Sequence, residues 1–286
     1  MPRLLAVGHV TWDRLQGQEV LGGSVSYAAL AARKLGWEAA VLTSAGPDFD
    51  PARDLPGVLT FVHPAPATTR FQNDYDADGV RHQYVTARAA NIVLDVLPEA
   101  WRAPDVLFLC PVAAEVHGAL APSFEAEVVG ATAQGWLRQF EDDGAVSARD
   151  WDDPGRELLG VHALVFSEAD IESPEDHARR FLQHVPLVLL TRGWKGLQVY
   201  DRQGIREVPT LPRPETDPTG AGDVFTAAFL MRYQETGDPE EAAAFGACAA
   251  SCVVEGLGAS ALGDRAEIER RLLQRDAFLQ GDDDAV

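Results

Sequence analysis

Residues 217–223, with the sequence DPTGAGD, combine two glycines and a carboxylate at the start of an apolar, helix-forming stretch. Gly220 and Gly222 have no Cβ, so the backbone there can approach a ligand closely. The first turn of a helix has N–H groups without intrahelical partners, and it therefore suits a phosphate group. Asp223 lies in that turn and can accept a proton from a hydroxyl group beside the phosphate. The spacing indicates phosphoryl transfer, although a plain helix start with Asp217 as its N-cap has the same composition.

The same segment resembles the C-terminal signature of the ribokinase-like (PfkB) carbohydrate kinases, usually DTTGAGD, with Pro218 in place of a threonine. The resemblance implies that Asp223 is the catalytic base and that Gly220, Ala221 and Gly222 form the anion hole. It also implies an α/β fold, ribokinase-like, with a mainly parallel central sheet, helices on both faces and a small β-rich lid. The implied reaction uses ATP and Mg²⁺ and phosphorylates a hydroxyl group of a sugar, a cyclitol or a nucleoside.

A second resemblance to this family lies near the N-terminus. Residues 4–15 predict a buried strand followed by a loop that carries Asp13, and the pair Gly22 and Gly23 comes next. In the family an early aspartate and a glycine pair contact the hydroxyl groups of the acceptor, and a carboxylate suits a polyol because it accepts several O–H bonds. Tyr27 stands where many members have asparagine, and we include it in the predicted acceptor site. Without the resemblance, an aspartate after a strand is more often a turn residue.

Residues 187–200 predict a strand, a glycine-containing turn and another strand. This segment is similar to one beside the nucleotide in the family. The resemblance places Thr191, Gly193 and Gly196 against the phosphates or the ribose of the donor. Lys195 in the same turn is a further candidate for a phosphate contact, whereas a lysine in a β-turn is more often only solvated.

Residues 166–170, FSEAD, occupy the place where the family often has an Asn-x-x-Glu pattern that organises magnesium. Ser167 and Asp170 replace both residues of that pattern. Mg²⁺ keeps most of its water ligands and needs only one or two carboxylates plus phosphate oxygens, so Asp170 is the predicted metal residue. The two replacements also support a rival hypothesis, a non-catalytic protein that binds a sugar or a nucleotide on the kinase fold.

The composition argues against several other classes of function. The chain has 286 residues, 46% of them hydrophobic, and a formal net charge of −20, which disfavours nucleic acid as a partner. Its three cysteines indicate neither a disulfide framework nor a zinc motif. The longest apolar stretch, 242–254, is shorter than the roughly 20 residues of a membrane-spanning helix. We therefore expect a cytoplasmic protein without membrane contact that binds a polyol and a nucleotide, and a homodimer is compatible with the sequence.

Short β-prone runs alternate with segments of helical periodicity, which predicts a mainly parallel sheet with helices on both faces. The predicted strands are 4–7, 39–43, 106–109, 163–166 and 187–191, and the predicted helices are 25–35, 175–184, 221–233, 240–254 and 265–278. Ligands of such sheets bind beyond the carboxyl ends of the strands, where the two family segments would meet. Residues 114–154 predict no clear element, and in them Trp136 and Arg138 are candidates either for the wall of the cleft or for plain core.

We expect one kinase domain over residues 1–286, with two departures from the α/β pattern. Residues 59–86 are polar and β-prone around a hairpin signal at 76–79, and the resemblance makes them a lid over the sugar. The alternative is an ordinary surface hairpin. Residues 281–286 predict a flexible acidic tail.

Overall fold

The computed structural model describes residues 1–15, 18–75, 81–117, 119–211 and 213–281. The predicted hairpin turn at 76–79 and all but the first residue of the predicted tail at 281–286 lie outside these ranges. Within them the chain forms a large sheet, a small four-stranded sheet and a two-stranded hairpin.

The strands of the described residues are β1 (Arg3–Val7), β2 (Thr11–Leu15), β3 (Gln18–Gly22), β4 (Glu38–Ala45), β5 (Leu59–Pro64), β6 (Thr69–Tyr75), β7 (Arg81–Ala87), β8 (Val106–Leu109), β9 (Val128–Thr132), β10 (Arg138–Phe140), β11 (Val146–Ala148), β12 (Ala163–Ser167), β13 (Leu187–Thr191), β14 (Leu197–Asp201) and β15 (Gly204–Val208). The α-helices are α1 (Ser24–Lys34), α2 (Pro51–Asp54), α3 (Pro174–Phe181), α4 (Ala221–Thr236), α5 (Pro239–Val253) and α6 (Arg265–Leu279). Every predicted strand and helix is present, with differences of at most a few residues at the ends.

The large sheet has the strand order β15-β14-β13-β12-β9-β8-β1-β4-β5. Neighbouring strands pair in parallel from β13 to β5, and the pairs β13–β14 and β14–β15 at the other edge are antiparallel. The predicted mainly parallel sheet is confirmed. The central strand β9 escaped prediction because Gly130 interrupts its apolar run, and a Cβ at that position would overlap the side chain of Leu230 on α4.

Helices and connecting segments cover both faces of the large sheet. One core layer contains α1, α4 and α5 and includes Leu4 and Phe229. The other layer contains α3 and includes Leu5, Trp101 and Phe181. Leu4 and Leu5 enter different layers because successive side chains of a strand point to opposite faces. Within the described part of the chain, no helix is both long enough and apolar enough to cross a bilayer.

The small sheet has the strand order β3-β2-β6-β7. Two of its strands come from 11–22 and two from 69–87, so the predicted lid segment 59–86 supplies only part of it. The start of that segment, β5, is instead the edge strand of the large sheet. Asp13 lies in β2, where the sequence predicted a loop. β2 is held in place by its pairing with β6, more than fifty residues away, and local sequence does not reveal such a pairing.

β10 and β11 form the separate antiparallel hairpin. It lies in the segment 114–154, for which the sequence predicts no element. Each of its strands has only three residues, which is too short for a recognisable alternation of polar and apolar side chains.

α4 depends on its buried aromatic side chains for its position. Phe229 has no exposed surface, and its ring lies 6.2 Å from that of Phe225 and 5.6 Å from that of Tyr233. We expect Phe229→Ala to lower the free energy of unfolding by about 3–5 kcal/mol, because it leaves a cavity in the core. Leu273→Ala, at a side chain that is 72% exposed, is the control and should change it by less than about 0.5 kcal/mol. Equal urea denaturation midpoints for the two variants would contradict the packing role of Phe229.

Candidate active site

A cleft lies at the carboxyl ends of the parallel strands, where the small sheet faces the large one. Its volume of about 1770 Å³ exceeds the roughly 300–1,000 Å³ of a single small-molecule site, so two ligands fit in it. The predicted site residues in its wall are Asp13, Gly23, Tyr27, Asp170, Thr191, Gly193, Gly196, Gly220, Ala221, Gly222 and Asp223. Gly22 and Lys195 are not part of this wall. The structure thus brings the N-terminal and C-terminal segments together.

The first turn of α4 presents backbone to the cleft. Gly220 precedes the helix with a φ of +81°, and a Cβ there would overlap the ring of Tyr27, so the position requires glycine. The Ala221 N–H donates to the Pro218 carbonyl at 3.2 Å. The Gly222 N–H, in the first turn, has no intrahelical acceptor, and a Cβ on this residue would meet no atom within 4 Å. This part of the turn is therefore open to an anion.

Asp217 stabilises this turn through hydrogen bonds to two backbone N–H groups. Its Oδ1 accepts the Thr219 N–H at 3.0 Å and its Oδ2 accepts the Gly258 N–H at 3.0 Å. Burial alone would raise the pKa of Asp217, but hydrogen bonds from Thr219 and Gly258 to its ionised form lower it below 3.8. The alternative in which Asp217 is the N-cap of α4 is wrong, because Gly220 holds that position.

The Asp223 carboxyl group borders the cleft and is nevertheless closely surrounded by protein. Burial raises the pKa of Asp223 from 3.8 to about 6. A hydrogen bond with Ser24 and the positive charge of Arg138 oppose the rise in pKa, and the carboxylates of Asp13 and Asp170 add to it. An acid with a pKa of about 6 is mostly ionised at neutral pH and still takes up a proton readily, which suits a general base.

Asp13 stands at the acceptor end of the cleft. Its Oδ1 accepts a hydrogen bond from Thr11 Oγ1 at 2.9 Å. Gly22 lies directly against the Asp13 carboxylate, since a Cβ on Gly22 would overlap it. The glycine pair thus leaves room for Asp13 at one position and forms the wall of the cleft at Gly23. Tyr27 is buried, and burial raises the pKa of its hydroxyl group well above 10, so it stays protonated.

The turn after β13 borders the other end of the cleft. Thr191, Gly193 and Gly196 lie in the wall there. Lys195 is about half exposed and donates to Glu168 Oε1 at 2.8 Å. Its charge is therefore paired with a glutamate on the surface instead of facing the cleft.

α5 supplies a wall that the sequence analysis missed. Ala247, Ala250 and Ser251 of α5 line the cleft, together with Val254 directly after the helix. They recur at intervals of three or four positions, so they share one face of the helix. Because these side chains are small, they leave a broad, mostly apolar surface. Small and apolar residues at this spacing equally indicate a helix face packed in the core. The local sequence therefore does not distinguish a cleft wall from a core face.

Asp170, the predicted metal residue, lies in the wall of the cleft. Its Oδ2 accepts the Ser167 N–H at 2.8 Å, which fixes its orientation. No group of three or more His, Cys, Asp or Glu side chains among the described residues is placed to hold a metal ion. The donor set therefore fits Mg²⁺ only as an ion that arrives with phosphate oxygens and water.

Two further side chains reach the site. Ser24, the first residue of α1, hydrogen bonds to Asp223. The sequence analysis did not identify it, and the signal that could have done so is its position directly after the glycine pair. Arg138 lies in the wall of the cleft, in agreement with one of its two interpretations. Trp136 is core, 4% exposed, and its Nε1 donates to the Val116 carbonyl at 2.8 Å.

The chain is similar in sequence to known kinases. A sequence model of the pfkB family carbohydrate kinases matches residues 137–265. The cytidine kinase of Thermococcus kodakarensis is 30% identical over 265 residues, which are 85% of this chain and 92% of that protein. The inositol 3-kinase of Arabidopsis thaliana is 27% identical over 270 residues, which are 90% of this chain and 75% of that protein.

The fold is similar to that of solved kinase structures. A pyrophosphate-dependent kinase in the ribokinase family superposes with a TM-score of 0.78 at 23% identity, over 94% of this chain and 99% of that one. The ribokinase of Thermotoga maritima superposes with a TM-score of 0.72 at 21% identity, over 94% of this chain and 99% of that one. The predicted ribokinase-like fold is confirmed.

The raised pKa of Asp223 predicts a dependence of stability on pH. As pH rises from about 4 to about 6, the unfolded chain loses the Asp223 proton before the folded protein does, so the folded protein loses stability. Asp223→Asn has no such charge, and we expect it to exceed the wild type in free energy of unfolding by up to roughly 3 kcal/mol at neutral pH. Urea denaturation at acidic and neutral pH measures this. Asp152→Asn, at an exposed site, controls for the lost charge, and an advantage of Asp223→Asn that did not grow with pH would contradict the prediction.

Proposed function

We propose, because this chain belongs to the PfkB family of carbohydrate kinases, that it transfers the terminal phosphoryl group of ATP to a hydroxyl group of a small polyol. As a family member it is a phosphotransferase with an alcohol group as acceptor. The observation that carries the proposal is the common cleft in which Asp13, Asp223 and the first turn of α4 meet. Hydroxyl binding, proton removal and phosphate binding require these three parts.

In the proposed mechanism the acceptor hydroxyl lies between the two carboxylates. Asp13 accepts hydrogen bonds from the polyol and orients it. Asp223 takes the proton of the attacking hydroxyl, the new P–O bond forms, and the bond to ADP breaks in line with it. The Gly222 N–H and the positive end of α4 stabilise the charge on the transferred group.

The small sheet covers the acceptor end. Asn73 and Gln83 of this sheet lie in the wall of the cleft and pair across β6 and β7, so their side-chain amides share one face, and Gln83 Nε2 donates to Asn73 Oδ1 at 2.9 Å. Amides offer both donors and acceptors to hydroxyl groups, which favours a sugar or a cyclitol over the base of a nucleoside. As a lid, the sheet also excludes water, which would otherwise accept the phosphoryl group.

The proposed donor is a nucleoside triphosphate. One kinase of the same fold is named for its use of pyrophosphate, so the donor needs its own argument. The apolar surface of α5, together with Leu211 and Leu257 in the wall of the cleft, suits a flat base, and pyrophosphate would leave it empty. Mg²⁺, when bound with the donor phosphates, neutralises their charge, and Asp170 is the residue of this chain that would hold it.

The rival function is binding of a sugar or a nucleotide without transfer. The replacement of the family's Asn-x-x-Glu pattern by Ser167 and Asp170 supports it. The environment of Asp223 argues against it, because a protein that only binds a polyol needs no carboxyl group with a pKa raised to about 6 beside an anion-binding turn.

We expect Asp223→Asn to lower kcat by about 100-fold or more, because the variant lacks the proton acceptor, while the KM for ATP changes little. ADP release is measured first for the wild type with a sugar, a cyclitol and a nucleoside, and then for the variant with the best acceptor. Asp152→Asn should retain wild-type turnover.

Two outcomes would count against this proposal. Wild-type turnover in Asp223→Asn would remove Asp223 from its role. Calorimetric binding of ATP and a polyol by the wild type, without ADP formation over hours, would support the binding protein instead.

The donor assignment predicts a selective effect of filling the α5 surface. Ala250→Leu enlarges a side chain in that wall, and we expect the KM for ATP to rise about tenfold or more with little change in the KM for the acceptor. Ala266→Leu, at an exposed helical position on α6, is the matched control. If pyrophosphate supports turnover and Ala250→Leu leaves its KM unchanged while ATP is inactive with the wild type, the nucleotide assignment is wrong.

A further inference from the structure

The β10–β11 hairpin, residues 138–148, packs against the open edge of the small sheet, and we call it the latch hairpin. β7 is the edge strand on that side. The Val85 N–H of β7 donates to the Gly144 carbonyl at 2.8 Å, and Tyr84 pairs with Ala145 in an antiparallel bridge. A Cβ on Gly144, whose φ is +86°, would lie 2.6 Å from the Val85 carbonyl oxygen. The contact therefore depends on glycine at this position.

A small apolar cluster seals the contact. It joins Phe71 of the small sheet to Val112 and Ala113 of the segment after β8, with Phe140 and Val146 of the latch hairpin packed against them. The cluster is separate from the two core layers of the large sheet. It therefore holds the small sheet to the rest of the chain at the acceptor end.

The register of the small sheet connects this contact to the acceptor site. Asp13 pairs with Phe71 across β2 and β6, and Phe71 pairs with Val85 across β6 and β7. Residues paired in register lie on the same face of a sheet. Phe71, against which the latch hairpin packs, is therefore next to Asp13. The strand β7, to which the hairpin is hydrogen-bonded, is one strand further away.

Arg138, the first residue of the latch hairpin, connects the contact to the reaction centre. Its Nη1 donates to the Val112 carbonyl at 2.9 Å, and its guanidinium carbon lies 5.5 Å from the centroid of the Phe71 ring. It also lies in the wall of the cleft and is one of the charges that act on Asp223. The same side chain thus touches the small sheet and faces the proposed base.

We propose that Arg138 is a positioning residue of the transfer reaction, which the latch hairpin fixes between Phe71 and the reaction centre so that the small sheet stays closed over the acceptor. The inference rests on the proposed kinase function. Closure places Asp13 against the acceptor and excludes water from the phosphoryl group. Loss of the latch therefore weakens acceptor binding and lets water take the phosphoryl group, while the donor end, built from β13 and α5, is left intact.

A structural alternative is that the hairpin only protects the edge of β7 from pairing with other chains. In that case a weaker contact changes stability or aggregation, and it leaves the KM for the acceptor and the use of water unchanged. The two interpretations are distinguished by the ratio of ADP formed to acceptor phosphorylated.

The experiment compares Gly144→Ala with Gly36→Ala. Both glycines have nearly the same positive φ, +86° and +82°, so both variants carry a similar backbone strain, but a Cβ at Gly36 would meet no atom within 4 Å. For Gly144→Ala we expect a KM for the acceptor at least about tenfold higher, an unchanged KM for ATP and ADP formed in excess of product. Arg138→Met, which removes the guanidinium group, should show the same pattern. Gly36→Ala should match the wild type.

Amide hydrogen exchange tests the latch without any activity. The Val85 N–H should exchange faster in Gly144→Ala than in Gly36→Ala, and this measurement stands even if the wild type transfers no phosphate, an outcome that would overturn the proposed function alone. Equal exchange in the two glycine variants would overturn the latch. A higher KM for ATP in Arg138→Met, with ADP and product still equal, would show a donor contact in place of a positioning role.

Discussion

The contact between the first turns of α1 and α4 is the constraint on which the site depends. Gly220 approaches the Tyr27 ring so closely that a Cβ would overlap it, and Ser24 at the start of α1 hydrogen bonds to Asp223 at the start of α4. Two helix N-termini therefore meet at one carboxyl group. The N–H groups of a first turn suit an anion, so the carboxyl group proposed as the base lies beside a place where a phosphoryl group can be held.

The charge of the protein makes this local arrangement necessary. A chain with a net charge of −20 repels a polyphosphate at long range. Two cations near the donor end are already paired, Lys195 with Glu168 and Arg192 with Glu207. In the proposed mechanism the amides of α4 and an ion that accompanies the donor supply the attraction for the phosphates.

The parts of the site that the sequence predicted are those whose signal is local. The glycines of the α4 turn and Asp223 all lie within 217–223, so the local pattern predicts that they lie together. Asp13 was assigned to a loop, whereas its strand pairs with β3 and with the distant β6, and the second of these pairings has no local signal. The pairing of Lys195 with Glu168, 27 positions earlier in the sequence, has no local signal, so the sequence could not exclude Lys195 as a phosphate contact. The latch hairpin was missed because strands of three residues carry no periodicity.

The two sheets carry different parts of the proposed site, which would allow one reaction centre to serve different acceptors. The carboxyl group and the anion-binding turn are fixed by helices packed on the large sheet, whereas the acceptor wall comes largely from the small sheet, which is joined to the rest by its strand connections and by the latch hairpin. Substitutions at positions such as Asn73 and Gln83 would therefore change which polyol fits without moving Asp223. In the proposed mechanism Asp223 and the first turn of α4 lie outside the surface that selects the acceptor, so the geometry of transfer does not depend on which polyol binds. Asp13 does lie on that surface, but its carboxylate can accept hydrogen bonds from any polyol.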